Sequence, residues 1–377
     1  MGCSSDDTHR NAPSGAGGDD SSGVSTGPSS GATAASGATS GAGGSCPGDV
    51  PSCIEGLPAV AGDWFCAQTP AVPECPGVAS NVTATLCGVP LKSPPAELAR
   101  STTAVEHGGT GPAQTGCFDP ASAPPPPGAP QTATVNGVVQ LYRGGCTSTN
   151  VEIKLWTVTR DCTENDGALA KTVGAPVTTA ASCVADGLAV PDASCGTQYL
   201  CPFSYKGVPT ETELVVKTGG AGWTSIYEYG IYIRNADVVN GTFAHDAVIL
   251  DPAGYDAISQ SATGKPAPPM HGSVFGEIRD CGGVRLENAV IGSERRAAVH
   301  FYFTADDVSP LADLALAGTG ALGRFGLLDI PSGDLEIAAV GSVGGTLVPL
   351  GFTRAHVYPK SVTLVTFEGL FPGQAGL

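Results

Sequence analysis

Hydrophobic and polar positions alternate in several short stretches of the chain. In AVHFYFT, Val299, Phe301 and Phe303 alternate with His300, Tyr302 and Thr304, the period-two pattern of a strand with one buried face. VEIKLWTV, ELVVKT, YEYGIYI, LEIAAV and SVTLVTF are rich in β-branched and aromatic residues and read as further strands. Turn residues separate them at short intervals, which predicts an all-β sandwich or barrel. With 53 glycines and 31 prolines, long helices are not expected to dominate.

The pattern vanishes towards the start. Between residues 4 and 45, Val24 is the single apolar side chain larger than Ala that is not proline. Such a segment cannot offset its ordering entropy, so residues 1–45 are expected to form a disordered tether. A flexible coil of about 42 residues spans roughly 35 Å. Next comes a cysteine-rich module, 46–117, with thin apolar content, where disulfides would substitute for a core. A proline-rich linker follows at 118–131, containing FDPASAPPPPGAP. Two β-sandwich segments then occupy 132–258 and 272–371, separated by a linker at 259–271.

The two β segments resemble each other. Phe203-Ser-Tyr205-Lys-Gly-Val208-Pro209 and Phe325-Gly-Leu327-Leu-Asp-Ile330-Pro331 share the pattern F-x-[YL]-x-x-[VI]-P, and apolar strands begin at Leu214 and Leu335. This predicts a strand, a proline-fixed turn and a hairpin partner, repeated in both copies.

The thirteen cysteines are Cys3, Cys46, Cys53, Cys66, Cys75, Cys87, Cys117, Cys146, Cys162, Cys183, Cys195, Cys201 and Cys281. No CxxC pair, HExxH or HxH occurs, and the six histidines are scattered. Zinc sites normally need such closely spaced ligands, so no metal is expected and disulfides in an oxidising compartment are. Six cysteines in the module allow fifteen pairings, and sequence does not choose among them. Cys162, Cys183, Cys195 and Cys201 mark an insertion in the first β segment, read as a long loop stapled by disulfides.

Setting Cys3 aside leaves an even number of cysteines. Gly2-Cys3, followed by the Ser/Gly-rich tether, resembles the end of a bacterial lipoprotein lipobox, with Cys3 the acylated residue. The apolar residues that precede such a pair are missing, which a translation start further upstream would explain. N-myristoylation would want Ser or Thr at the sixth place, where Asp6 stands. Ser4 after the cysteine, rather than Asp, points the resemblance towards the outer membrane. The net charge of −17 disfavours nucleic acid and anionic lipid surfaces as partners, because both would be repelled. No stretch approaches eighteen consecutive apolar residues.

In the second β segment, Gly276, NAVI from Asn288 to Ile291, Thr319 with Gly323-Arg-Phe325, and DIPSGDLEI stand out together. Through these residues the segment resembles the carboxypeptidase regulatory-like family of transthyretin-like sandwiches. Leu322 stands where the family prefers Asp, and Leu335 where it has Tyr. It implies tandem transthyretin-like or Ig-like β-sandwiches, used as spacer or binding modules, with no inherited catalytic residue and no cofactor.

Other motifs read as ordinary structure. Gly318-Thr-Gly320-Ala-Leu-Gly323 matches G-x-G-x-x-G, but strand and turn follow it where a dinucleotide site needs a helix. Gly27-Pro-Ser29-Ser-Gly31 lies in the tether, with no sheet to form a nucleophile elbow. Asp161, Glu164, Asn165 and Asp166 form an acidic turn whose spacing departs from a calcium loop. Asp306-Asp307 point to opposite strand faces and suit no acid–base pair. In GWTSIYEYGIYI, Trp223, Tyr227, Tyr229, Ile231 and Ile233 share one face if the alternation holds. An exposed Trp223–Tyr227–Tyr229 row would stack sugar rings; a buried one is core, as the neighbouring isoleucines favour.

The expectation is therefore a non-enzymatic lipoprotein at the bacterial outer membrane or cell surface. It would be held to the membrane by a lipid on Cys3 and would serve adhesion, scaffolding or recognition of a protein or glycan. The alternatives are a surface-anchored enzyme, carbohydrate-active or dioxygenase-like, and a purely structural envelope protein. Around His356 the stretch RAHVYPKS offers no second histidine for a dioxygenase iron.

Overall fold

The computed structural model describes residues 96–370, apart from 105–106, 120–121, 123–124, 126, 143–147, 158–170, 182–188, 193–195, 294–298 and 306–310, together with three short strands, Gly44–Cys46, Trp64–Cys66 and Val89–Pro90. In chain order the main elements are β1 (Thr132–Leu141), β2 (Glu152–Thr157), β3 (Lys171–Thr178), β4 (Cys201–Pro209), β5 (Glu213–Gly219), β6 (Ile226–Tyr232), β7 (Thr242–Ala244) and β8 (Ala247–Ile249). They continue with α1 (Pro252–Thr263), β9 (His271–Ile278), β10 (Val290–Ser293), β11 (Val299–Phe303), β12 (Ala312–Asp313), β13 (Arg324–Pro331), β14 (Gly333–Val343), β15 (Thr346–Val357) and β16 (Val362–Phe367).

The described residues are all-β apart from α1 and short 3-10 turns, and they build two sandwiches that share most of their strand pairings; β3 pairs with β2, whereas its counterpart β11 pairs with β13. In each, a first strand (β1, β9) pairs antiparallel with the motif strand (β4, β13) and parallel with the last strand (β7 and β8, β16). The facing sheets are β2-β5-β6 and β10-β14-β15. Val135, Val139, Ile153, Leu155, Phe203, Leu214 and Val216 fill the first core. Val274, Ile291, Phe325, Leu327, Leu335, Ile337, Val365 and Phe367 belong to the second.

The shared motif has a backbone cause. Two residues of β4, Lys206 and Gly207, lie opposite one of β1, and Leu328 and Asp329 of β13 lie opposite one of β9. The second residue of each bulge has positive φ, 73° at Gly207 and 56° at Asp329, so the motif encodes the same bulge twice. The expected hairpin across the proline is corrected: β4 and β5 lie in different sheets, as do β13 and β14. The bulge and proline bend the chain from one layer of the sandwich to the other.

A second repeated glycine is less visible in the sequence. Gly137 of β1 lies opposite Phe203, and Gly276 of β9 opposite Phe325. A Cβ would sit 1.8 Å from the His245 carbonyl oxygen at Gly137, and 2.1 Å from that of Val365 at Gly276. The β7–β8 joint at Gly137 and β16 at Gly276 run so close that only glycine fits.

The two sandwiches share one sheet. β6 of the first pairs in parallel with β16 of the second, from Ile226 opposite Val362 to Tyr229 opposite Val365. A nine-stranded sheet results, ordered β12-β11-β13-β9-β16-β6-β5-β2-β3. Its second-sandwich half is covered on both faces. α1 lays Tyr255 and Ile258 against Phe275, Phe301, Phe303 and Leu328 on the face opposite the second core. The AVHFYFT alternation is therefore present, but Tyr302 on the other face is buried too. α1 starts at an Asp251 N-cap that accepts from the Gly254 amide, has Pro252 in its first turn, and ends at left-handed Gly264. It occupies residues where the sequence reading passes from sandwich to linker at 258/259.

The described residues of 96–119 form a strap across the second sandwich, rather than the first that follows them in the chain. Ala99–Arg100 pair with Leu286–Glu287. The Glu97 carboxylate accepts from the amides of Gly344 and Gly345 in the β14–β15 turn, and Phe118 enters the second core. The expected linker at 118–131 thus begins with a core residue.

Candidate functional site at the sandwich seam

The β6–β16 pairing brings residues of both sandwiches together on each face of the sheet. On one face lie Tyr227 and Tyr229 of β6, Val215 of β5, and Ala355 and Tyr358 from the second sandwich. Tyr227 stacks on Tyr358 at 4.0 Å between centroids, Tyr358 lies 4.5 Å from the His356 ring, and the Lys217 ammonium sits over Tyr227 at 5.2 Å. Burial, and next the Tyr358 hydroxyl beside it, push the Tyr229 phenol far above its usual range. Burial lowers Lys217, assisted by Lys154 directly opposite on β2.

The expected row of Trp223, Tyr227, Tyr229, Ile231 and Ile233 on one face does not form. β6 bulges opposite Val215 at Tyr229 and Gly230, where Gly230 has a φ of 78°. The bulge resets the alternation. Tyr227 and Tyr229 face the seam, whereas Ile231, Ile233 and Trp223 pack with the first core. Trp223 is half-buried and its indole N–H donates to the Thr149 carbonyl at 3.2 Å. Tyr227 is 9% exposed and Tyr229 2%, so with Tyr358 stacked against it the Tyr227 ring has no open face for a sugar. Sequence reasoning missed Lys217 and Tyr358, and weighed His356 only as an iron ligand; the stretch HVYPKS signals an aromatic strand end, but nothing local tells which strand it meets.

The other face of the seam is ionic. His245 Nε2 lies 3.2 Å from Glu228 Oε2 and ties the β7–β8 joint to β6. Burial draws the imidazole down, but Glu228, then Asp246 and Glu368, together raise it above its ordinary value. Glu368 also meets Arg279 at 3.3 Å. Arg279 joins buried Glu277, which lies 3.2 Å from Arg285 and 3.6 Å from Arg324. Burial raises the Glu277 carboxyl, and the three guanidiniums outweigh that and hold it below the usual range.

A third cluster fastens the strap at one corner of the second sandwich. Cys117 is disulfide-bonded to Cys281, so this cysteine leaves the 46–117 module for the second sandwich. Beside it Asp280, fully buried, accepts from Arg100 Nε at 2.6 Å and from the amides of Gln114, Gly282 and Val284. Burial raises its carboxyl, and these donors more than reverse the effect. The Leu370 amide donates to the Cys117 carbonyl at 3.2 Å.

Cys201 is disulfide-bonded and buried. Cys3, Cys53, Cys75, Cys87, Cys146, Cys162, Cys183 and Cys195 lie outside the described residues, as do the acidic turn at 161–167 and Asp306-Asp307; Cys46 and Cys66 are described in backbone only. Gly323 of the glycine-rich run is a left-handed turn residue before β13, with a φ of 61°. Thr319 in that run accepts from the Ala289 amide and donates to the Leu286 carbonyl. Among the described residues no group of three or more His, Cys, Asp or Glu side chains is placed to hold a metal ion. None of their helices is long and apolar enough to cross a membrane.

No protein-family model and no curated protein matches the chain. Among solved structures, the shaft pilin SpaA of Lactobacillus rhamnosus GG is similar at 10% identity, covering 63% of this chain and 98% of the pilin, with a TM-score of 0.19. A streptococcal ancillary pilin is similar at 11% identity over 82% of this chain and 76% of its own, with a TM-score of 0.18. A minor pilin of Streptococcus agalactiae is similar at 11% identity over 63% and 94%, also at 0.18. Scores of this size leave function to be argued from the chain's own residues. Those define an all-β protein of two fused sandwiches.

Proposed function

We propose that the chain is a non-enzymatic scaffold or adhesion protein of the bacterial cell surface. In this reading Cys3 carries the lipid, residues 4–43 are the leash, and the two sandwiches are presented as one stiff body to a protein or glycan partner. The observation that carries the reading is the nine-stranded sheet through both sandwiches. Domains joined by a flexible linker move independently by default; here a parallel strand pair and a tyrosine stack replace the hinge. A body of fixed shape suits holding surfaces apart or in register. The Cys117–Cys281 bridge supports an oxidising compartment. The enclosure of Tyr227 and Tyr229 weighs for a protein partner over sugar stacking at the seam.

The test is made in a diderm bacterium expressing the gene with its native upstream sequence. The reading expects labelled fatty acid to be incorporated and lost in Cys3→Ala, and intact cells to yield peptides of the sandwiches to added protease. An unlabelled protein that resists the protease until the cells are lysed would overturn it.

A further inference from the structure

The Cys117–Cys281 bridge has a topological consequence for tension. The two cysteines are 164 positions apart, and the loop between them holds β1–β8, α1 and β9: the whole first sandwich and the first strand of the second. We propose that the bridge is a mechanical shunt. Tension applied between the strap and the chain beyond β16 passes from Cys117 to Cys281 through sulfur, so residues 118–280 carry none of it. Of two connected routes, the shorter tightens first; one is a single S–S bond and the other is 163 residues of chain, the separation of 164 less one.

The surroundings fit that role. The strap reaches Cys117 after fastening itself to the second sandwich through Ala99–Arg100, Arg100–Asp280 and Gln114–Asp280. Pulled from ahead of Ala99, these contacts meet the tension before the bridge does; pulled from Pro112, only the Gln114–Asp280 contact does. Leu370, where the chain leaves β16, is hydrogen-bonded to Cys117 itself. The strap and the outgoing chain therefore meet at one corner of the second sandwich. A pull between them unzips β16 from its C-terminal end, and β10–β15 follow. Tension acts on the second sandwich alone, and residues 118–280 add no length whether or not the first sandwich keeps its fold once β16 has left β6. The shunt matters to the cell only if the proposed surface anchoring holds, but its physics does not depend on that.

The test is single-molecule force spectroscopy on the full chain, with attachment points at exposed Pro112 and beyond Leu370, in non-reducing buffer after mass spectrometry has verified the bridge. An extended residue adds at most about 3.5 Å, so only the short stretch to Cys117 and the residues beyond Cys281 lengthen. The total gain is then expected to stay below about 330 Å. A gain well above that ceiling with the bridge intact overturns the shunt, whatever any variant does. The paired variant Cys117→Ser/Cys281→Ser is expected to release several hundred ångströms more, up to roughly 570 Å, less what the Cys201 bridge retains. An unchanged gain in a variant that still shows strand-rich circular dichroism also counts against the proposal. Neither result bears on Cys3 acylation or protease exposure, so failure here and failure of the surface reading are told apart.

Discussion

Replacing Gly276 by alanine tests the close approach of the last strand to the first. A Cβ there would lie 2.1 Å from the Val365 carbonyl oxygen and 2.5 and 2.7 Å from ring atoms of Phe325, against 3.4 Å for ordinary contact. The obstacles are backbone and a fully buried ring, so neither yields by rotating a flexible side chain. β9 must move away from β16, which stretches two or three ladder hydrogen bonds beyond range at about 1 kcal/mol each. Overpacking of the Phe325 site adds about 1–3 kcal/mol. Together these give roughly 4 kcal/mol of destabilisation. Gly116→Ala is the control: nothing lies within 4 Å of its Cβ position, and a change below about 0.5 kcal/mol is expected. The assay is urea denaturation with disulfides intact. At a slope of about 3 kcal/mol per molar, the midpoint should fall by more than 1 M in Gly276→Ala and hardly move in Gly116→Ala. Equal midpoints for the two variants would refute the packing argument. Gly137→Ala, with 1.8 Å to the His245 carbonyl oxygen, should behave as Gly276→Ala does.

Three further perturbations probe the seam and the strap. Tyr358→Ala removes the partner stacked on Tyr227; a loss of about 3 kcal/mol is expected in the same assay, and a loss under 1 kcal/mol would deny the ring a part in joining the sandwiches. His245→Gln should show a pH-dependent deficit. The folded-state pKa is raised, so the ion pair's contribution is fully present below the unfolded value near 6.5 and fades as pH climbs through the folded value; equal deficits at pH 5.5 and pH 9 would contradict this. Asp280→Ala strands the Arg100 guanidinium and three amides. About 3 kcal/mol should be lost, with faster proteolysis within 96–116; an unchanged digestion pattern would show that Asp280 does not hold the strap.

Local features are readable in the sequence and long-range pairings are not. The F-x-[YL]-x-x-[VI]-P motif is visible because a bulge and a proline bend require particular residues at fixed offsets. The path of the chain beyond the bend is ambiguous, since a hairpin and a crossing between layers begin with the same turn chemistry. The alternation in β6 fails at Gly230, which reads as a glycine tolerated in a strand and is a bulge that turns Tyr227 and Tyr229 away from Ile231 and Ile233. Gly276 stands out through a family resemblance; its counterpart Gly137 does not, because the clash that demands it comes from the β7–β8 joint, over a hundred residues away. The same holds for Cys117: spacing cannot choose a partner, and the chain visits the second sandwich before building the first.

Hydrogen exchange under native conditions, with denaturant added in steps, measures the union of the two sandwiches most directly. If the shared sheet makes them one cooperative body, amides of β5 at Leu214–Val216 and of β14 at Ile337–Val340 open with the same free energy and the same denaturant dependence. A first sandwich opening at a free energy about 2 kcal/mol or more below the second, with β6 released from β16, would contradict the account.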